Sequence, residues 1–168
     1  MKAEFKRHLF AAMCGYVVEY LESTSKTGIV ELTAADRSFI MRWLSTIAVT
    51  PGACPLNGSQ VAMHLSWYST QQLHHNSVAV PLSRFCEPLL LIRDYLDSLE
   101  QETVTLSGED NEFQVRWMTL VVDHKHGPHA STLVKVLAIL DKVKELNGEP
   151  EDADHCEEEA VRTGPTTD

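Results

Sequence analysis

The chain has 168 residues, 43% of them hydrophobic, and a formal net charge of -10. That is enough for one ordinary core and too short for two typical domains. The four cysteines are scattered without a CxxC pair, and no apolar run approaches the length of a bilayer span, which argues against disulfide scaffolds, zinc knuckles and membrane-spanning proteins. The charge is uneven: from Glu149 to Asp168 eight acids face the single base Arg162, whereas the preceding residues hold 16 acids and 13 bases. A stretch so acidic and free of aromatics cannot bury enough apolar surface to fold, so the sequence predicts a domain over 1–148 and a disordered acidic tail over 149–168.

The first segment, Lys2 to Glu22, places Phe5, Leu9, Met13, Tyr16, Val17 and Leu21 at three- and four-residue steps, one face of an amphipathic helix. Lys2, Lys6 and Arg7 ahead of the run Leu9–Val18 loosely imitate a signal peptide. Glu4 and the continuation through Glu19 and Glu22 speak against it. Thr33 and Asp36 then have the spacing of a capping box, predicting a second helix over Ala34–Val49 with Phe39, Ile40, Trp43, Leu44 and Ile47 inward. Pro51-Gly52 and Asn57-Gly58 bracket a loop, and Ser59 opens a third helix reaching to about His75 on a thinner stripe of Val61, Ala62, Leu65, Tyr68 and Leu73.

After a loop around 76–80, Pro81 suits the start of the fourth helix, about 82–101, whose Leu82, Phe85, Leu89, Ile92, Leu96 and Leu99 make it the expected central element. Pro88 is a kink or a late start within it. The residues Thr103–Leu106 and Phe113–Val122, rich in β-branched and aromatic side chains and separated by the polar Ser107–Asn111, read as a β-hairpin over about 102–123. A fifth helix is expected over Ser131–Leu146, with Leu133, Leu137, Leu140 and Val143 inward and Asn147-Gly148 as its stop. The fold expected is thus mainly α: about five amphipathic helices packed around residues 82–101, one hairpin before the last helix, and no internal repeat.

No motif carries a strong chemical signature. His124, His126 and His129 beside Asp123 are the densest set of metal-ligand types and would suit zinc, copper or nickel. A strand-to-helix connection is polar in any case, and Lys125 opposes a cation. His74 and His75 are adjacent on a helix and diverge, so they suit helix-end carbonyls better than a shared ion. Residues 59–75, with Gln71 and Gln72 and a hairpin wing, have a helix-turn-helix outline, but the stretch has no Lys or Arg to meet phosphates. There is no Gly-x-Ser-x-Gly elbow and no glycine-rich phosphate loop.

The expectation is therefore a non-catalytic, cytoplasmic accessory protein that binds another protein or a second copy of itself, in the style of a bacterial or phage factor attached to replication or transcription machinery, with no cofactor. A DNA-binding regulator using 59–75 and the hairpin, and a metal-dependent enzyme using the 123–129 histidines, are the alternatives. Trp67, off the main stripe of its helix, its neighbour Tyr68, and Leu90 and Leu91, which widen the apolar face of the central helix, are the candidate contact residues.

Overall fold

The computed structural model of the chain describes residues 3–52, 58–71, 76–124 and 130–146. Their chain order is β1 (Ala3–Lys6), α1 (Arg7–Thr24), β2 (Ile29–Leu32), α2 (Ala34–Val49), α3 (Gly58–Thr70), β3 (Val78–Pro81), α4 (Leu82–Ser98), β4 (Thr103–Leu106), α5 (Gly108–Asp123) and α6 (Ala130–Leu146). The molecule is mainly helical, with two short antiparallel strand pairs. The tail from Glu149 lies outside the described residues.

The strands are not where local sequence placed them. Thr103–Leu106 is extended as expected, but its partner is Ala3–Lys6, in the register Ala3 opposite Leu106 and Lys6 opposite Thr103. The hairpin expected over about 102–123 is instead β4 followed by helix α5. Ser107 and Asp110, read as a turn, form a capping box: the Asp110 N–H donates to Ser107 Oγ at 3.2 Å and the Ser107 N–H to Asp110 Oδ2 at 2.8 Å. That box starts a helix whose buried Phe113, Gln114, Trp117, Met118 and Val121 follow helical steps. Residues 3–6, expected as helix, pair as a strand, and the Thr103 and Thr105 hydroxyls donate to the Glu4 carboxylate at 2.6 and 2.7 Å. Ile29–Leu32 pairs with Val78–Pro81, neither of which was expected to be a strand.

The pairing exposes an internal repeat that periodicity alone missed. Val30-x-Leu32-Thr33-x-x-Asp36-x-x-Phe39-x-x-Arg42-Trp43 recurs 74 residues later as Val104-x-Leu106-Ser107-x-x-Asp110-x-x-Phe113-x-x-Arg116-Trp117. Structurally the order strand, helix, strand, helix, helix occurs twice, as β1–α3 and β3–α6. Each half completes the other. β1 pairs with β4 and β2 with β3 in matching registers. The Arg7 N–H donates to the Glu102 carbonyl at 2.9 Å, and its counterpart, the Leu82 N–H, donates to that of Gly28 at 2.8 Å. Gly28 sits at φ +72°, a turn conformation that favours glycine.

The polar centres are exchanged in the same way. Thr33 and Asp36 form the capping box of α2. Asp36 then accepts the Trp117 indole N–H at 2.9 Å and pairs with Arg116 of the other half. Asp110 accepts the Trp43 indole N–H, also at 2.9 Å, and pairs with Arg42. Both aspartates are almost fully buried, and each satisfies a helix start, an indole and a guanidinium at once. Between them Phe39 and Phe113, counterparts of one another, stack at 3.7 Å with 4° between their planes. Phe10 lies 5.3 Å from Trp43, and its counterpart Phe85 lies 5.3 Å from Trp117.

α1 and α4 form the most extensive helix pair, so the central role expected of α4 is shared. The wide apolar face of α4 is consumed there: Leu89 and Leu91 are buried, and Leu90 packs against the core. Pro88 does lie inside α4, and the helix continues through it.

Candidate functional site

The two halves differ most around their third helices, α3 and α6. A shift of 75 residues matches Val61 to Val136, His64 to Ile139, Leu65 to Leu140 and Tyr68 to Val143, and all four α6 residues are buried. Two consequences follow, one on each side of α3.

Towards α4 the seam is polar. Proline has no N–H, so Pro88 leaves the carbonyl of Arg84, four residues earlier, without its helical donor. The Tyr68 hydroxyl takes that place, donating to the Arg84 carbonyl at 2.7 Å. One turn earlier on α3, His64 Nε2 lies 3.1 Å from Glu87 Oε1. A carboxylate cannot donate, so the ring N–H points to Glu87, and Nδ1 is buried with no hydrogen-bond partner. Burial, the larger influence, pulls the imidazole below its ordinary pKa, while Glu87 works in the opposite direction. The Arg84 guanidinium stacks over the Trp67 ring at 4.9 Å. At the corresponding seam of α6 the counterparts of His64 and Tyr68 are Ile139 and Val143, and the counterpart of Glu87 is Ala12 of α1.

Towards α2 lies an open groove of about 620 Å³, lined by Ile47, Ala48, Val61, Ala62, Leu65 and Ser66 among others, with no charged side chain among its described lining residues. Val49, at the end of α2, and Met63, within α3, are exposed. Small residues of α3, Gly58, Ala62, Ser66 and Ser69, form much of its wall; the α6 counterparts of the first two are Leu133, partly buried, and Leu137, which is exposed.

The residues singled out from sequence fall differently. Trp67 is partly buried and stacked by Arg84, whereas Tyr68 is wholly buried and spent on the Arg84 carbonyl. Tyr68 and Leu91 are therefore buried rather than at the surface, Tyr68 through its bond to α4. His124 follows the end of α5, with its ring edge-on to Tyr20 at 5.5 Å. His126, His129, His74 and His75 lie outside the described residues. Among the described residues no three His, Cys, Asp or Glu side chains converge as a metal-ligand set, and no helix is long and apolar enough to cross a membrane. The segment 58–70 is one uninterrupted helix, and the wing that a helix-turn-helix would need is helix α5.

Cys14 and Cys86 are buried free thiols, Cys14 pushed up to about 12 and Cys86 to about 11 by burial. Such thiols are poor nucleophiles and act as small hydrophobes.

Sequence reasoning missed His64, Glu87 and the groove. The signal for the first pair was an imidazole, His64, at helical spacing between the apolar Val61 and Tyr68; the signal for the groove was the small-residue run Gly58, Ala62, Ser66 and Ser69 at four- and three-residue steps. No protein-family model, curated protein or solved structure matches the chain.

Proposed function

We propose that the chain is a non-catalytic accessory protein that binds another protein, and that the α2–α3 groove seats aliphatic side chains from a helix of that partner. The observation that carries this reading is the groove itself: about 620 Å³ between α2 and α3, lined among the described residues by aliphatic and small side chains such as Ile47, Val61, Ala62 and Leu65 and by no charged one. A groove of that size and lining between two helices suits aliphatic side chains presented at helical spacing, the common mode of helix-in-groove recognition. Val49 and Met63, exposed on the same two helices, add to the apolar surface that the pair presents. The buried, unreactive thiols of Cys14 and Cys86 suit a reducing, cytoplasmic setting.

Capture from the native cell tests the reading with three baits: the full chain, Ala62→Glu, and the chain ended at Gly148. Ala62 is exposed, so a carboxylate there is tolerated by the fold, and an unchanged melting curve verifies it. A partner lost with Ala62→Glu, kept on truncation, and rebound in purified form supports the groove. A partner that ignores Ala62→Glu removes the groove from the reading, and one lost only on truncation moves recognition to the acidic tail. A second copy of the chain as the captured partner would show self-association instead.

A further inference from the structure

We propose that the α3–α4 seam is an acid-sensitive clasp: protonation of the buried His64 loosens α3 from α4 and thereby remodels the wall of the neighbouring groove, while α6 stays docked. The clasp is independent of what the groove binds.

The geometry carries this in three steps. First, α3 is thinly anchored: its buried residues are Val61, His64 and Tyr68, and two of those three meet α4 through polar contacts. Second, the imidazole is only 2% exposed and has one hydrogen-bond partner, Glu87. In its neutral form the Nε2–H donates to that carboxylate and Nδ1 holds an idle lone pair. Adding a proton turns Nδ1 into a buried donor with no acceptor, a costlier defect than an idle lone pair. Third, the compensation available is weak. From α4, Glu87 attracts the cation and Arg84 repels it. The Glu87 side chain is 56% exposed, so water screens its attraction. No charged group of α2 is among those acting on the ring, and α3 itself contains no Asp, Glu, Lys or Arg.

The sign follows from linkage. Burial holds the folded imidazole below its free value, so the open state of α3 binds the proton more readily. The docked state is at full strength above the free histidine value of about 6.5 and loses ground as pH falls through it. At pH 5.5 the free value limits the rise in local opening to about tenfold.

The chain has a built-in control. α6 occupies the corresponding place, carries Ile139 in place of His64, and has no histidine among residues 130–146. Hydrogen exchange of the full chain, corrected for the intrinsic pH dependence of amide exchange, is compared at pH 7.5 and 5.5 for peptides covering 58–71 and 130–146. The expected result is faster exchange in α3, up to about tenfold, with α6 unchanged, and loss of that difference in His64→Leu and in His64→Gln. Equal changes in α3 and α6, no change in α3, or an α3 response that survives His64→Gln would each overturn the proposal. If the substitutions disturb folding, the comparison of α3 with α6 in the unsubstituted chain still decides.

Discussion

Pro88 and Tyr68 offer a test in which two residues far apart in sequence share one carbonyl. In α4 the Arg84 carbonyl lacks its helical donor because residue 88 is proline, and the Tyr68 hydroxyl bonds it at 2.7 Å. Tyr68 is fully buried, so Tyr68→Phe removes one oxygen, leaves the ring in place and strands the carbonyl. A buried acceptor left unpaired costs about 1–3 kcal/mol. In a Pro88→Ala background the alanine N–H restores the i to i−4 bond, and the same Tyr68→Phe change should cost under about 1 kcal/mol, the value of a typical net hydrogen bond. The cycle of wild type, two single variants and the double variant, measured by urea denaturation followed by circular dichroism, should therefore show a coupling of roughly 1 kcal/mol or more. Pro88→Ala alone combines relief of a helix-interior proline with loss of a buried ring. Its own sign is not the test. Equal penalties for Tyr68→Phe in both backgrounds would refute the claim that tyrosine substitutes for the missing donor.

The exchanged aspartates should behave as a pair. Asp36→Ala and Asp110→Ala each remove a helix cap and the acceptor of a buried indole, and each should cost roughly 2–4 kcal/mol in denaturant unfolding, the two values agreeing within about 1 kcal/mol; a near-neutral value for either would break the equivalence of the halves. Cys14 and Cys86 should resist alkylation of the native protein at pH 8, because burial raises both thiols to about 12 and about 11, and react on adding denaturant, as read by mass spectrometry of the peptides. Rapid native modification of Cys14 would mean that the α1–α4 interface opens readily. Residues 1–76 expressed alone should give no compact monomer: size-exclusion chromatography and circular dichroism should show either an unfolded chain or a dimer, and a folded monomer with a cooperative melt would count against the reciprocal pairing.

Most helices were legible because their hydrophobic spacing is strong. α2 begins and ends where the Thr33–Asp36 box and the Phe39–Ile47 stripe place it. α5 was not legible, for a physical reason: Phe113, Val115 and Trp117 alternate as in a strand while Phe113, Trp117 and Val121 step as in a helix, and short windows hold both patterns. The arbiter was distant. Comparing Ser107–Trp117 with Thr33–Trp43 shows the same cap, phenylalanine and Arg-Trp pair, so knowing one helix identifies the other. The strands escaped for a different reason. Four-residue segments such as Ala3–Lys6 have no stability of their own, and their partners lie about a hundred residues away in one pair and about fifty in the other. The groove and the His64 pair depend on which side of α3 faces which neighbour, information that resides in the tertiary arrangement alone.

The reciprocal bonding also explains how two halves of such similar sequence can diverge at one helix. Strand pairs, capping aspartates and the Phe39–Phe113 stack all cross between halves, so the framework is fixed by contacts that neither half controls alone. α3 and α6 take less part in that exchange: α3 packs chiefly on α2, and α6 chiefly on α5, each within its own half, and α3 reaches the other half through its seam with α4. Substitutions there leave the shared framework intact, which is where a duplicated fold can change one copy at least cost to stability. The second half has aliphatic Ile139, Leu140 and Val143, all buried. The first half carries His64 and Tyr68 at the positions of Ile139 and Val143, with a polar seam on α4 and small residues lining a groove on the opposite side. The difference between the halves is thus concentrated where the shared framework constrains the chain least, at α3 and α6.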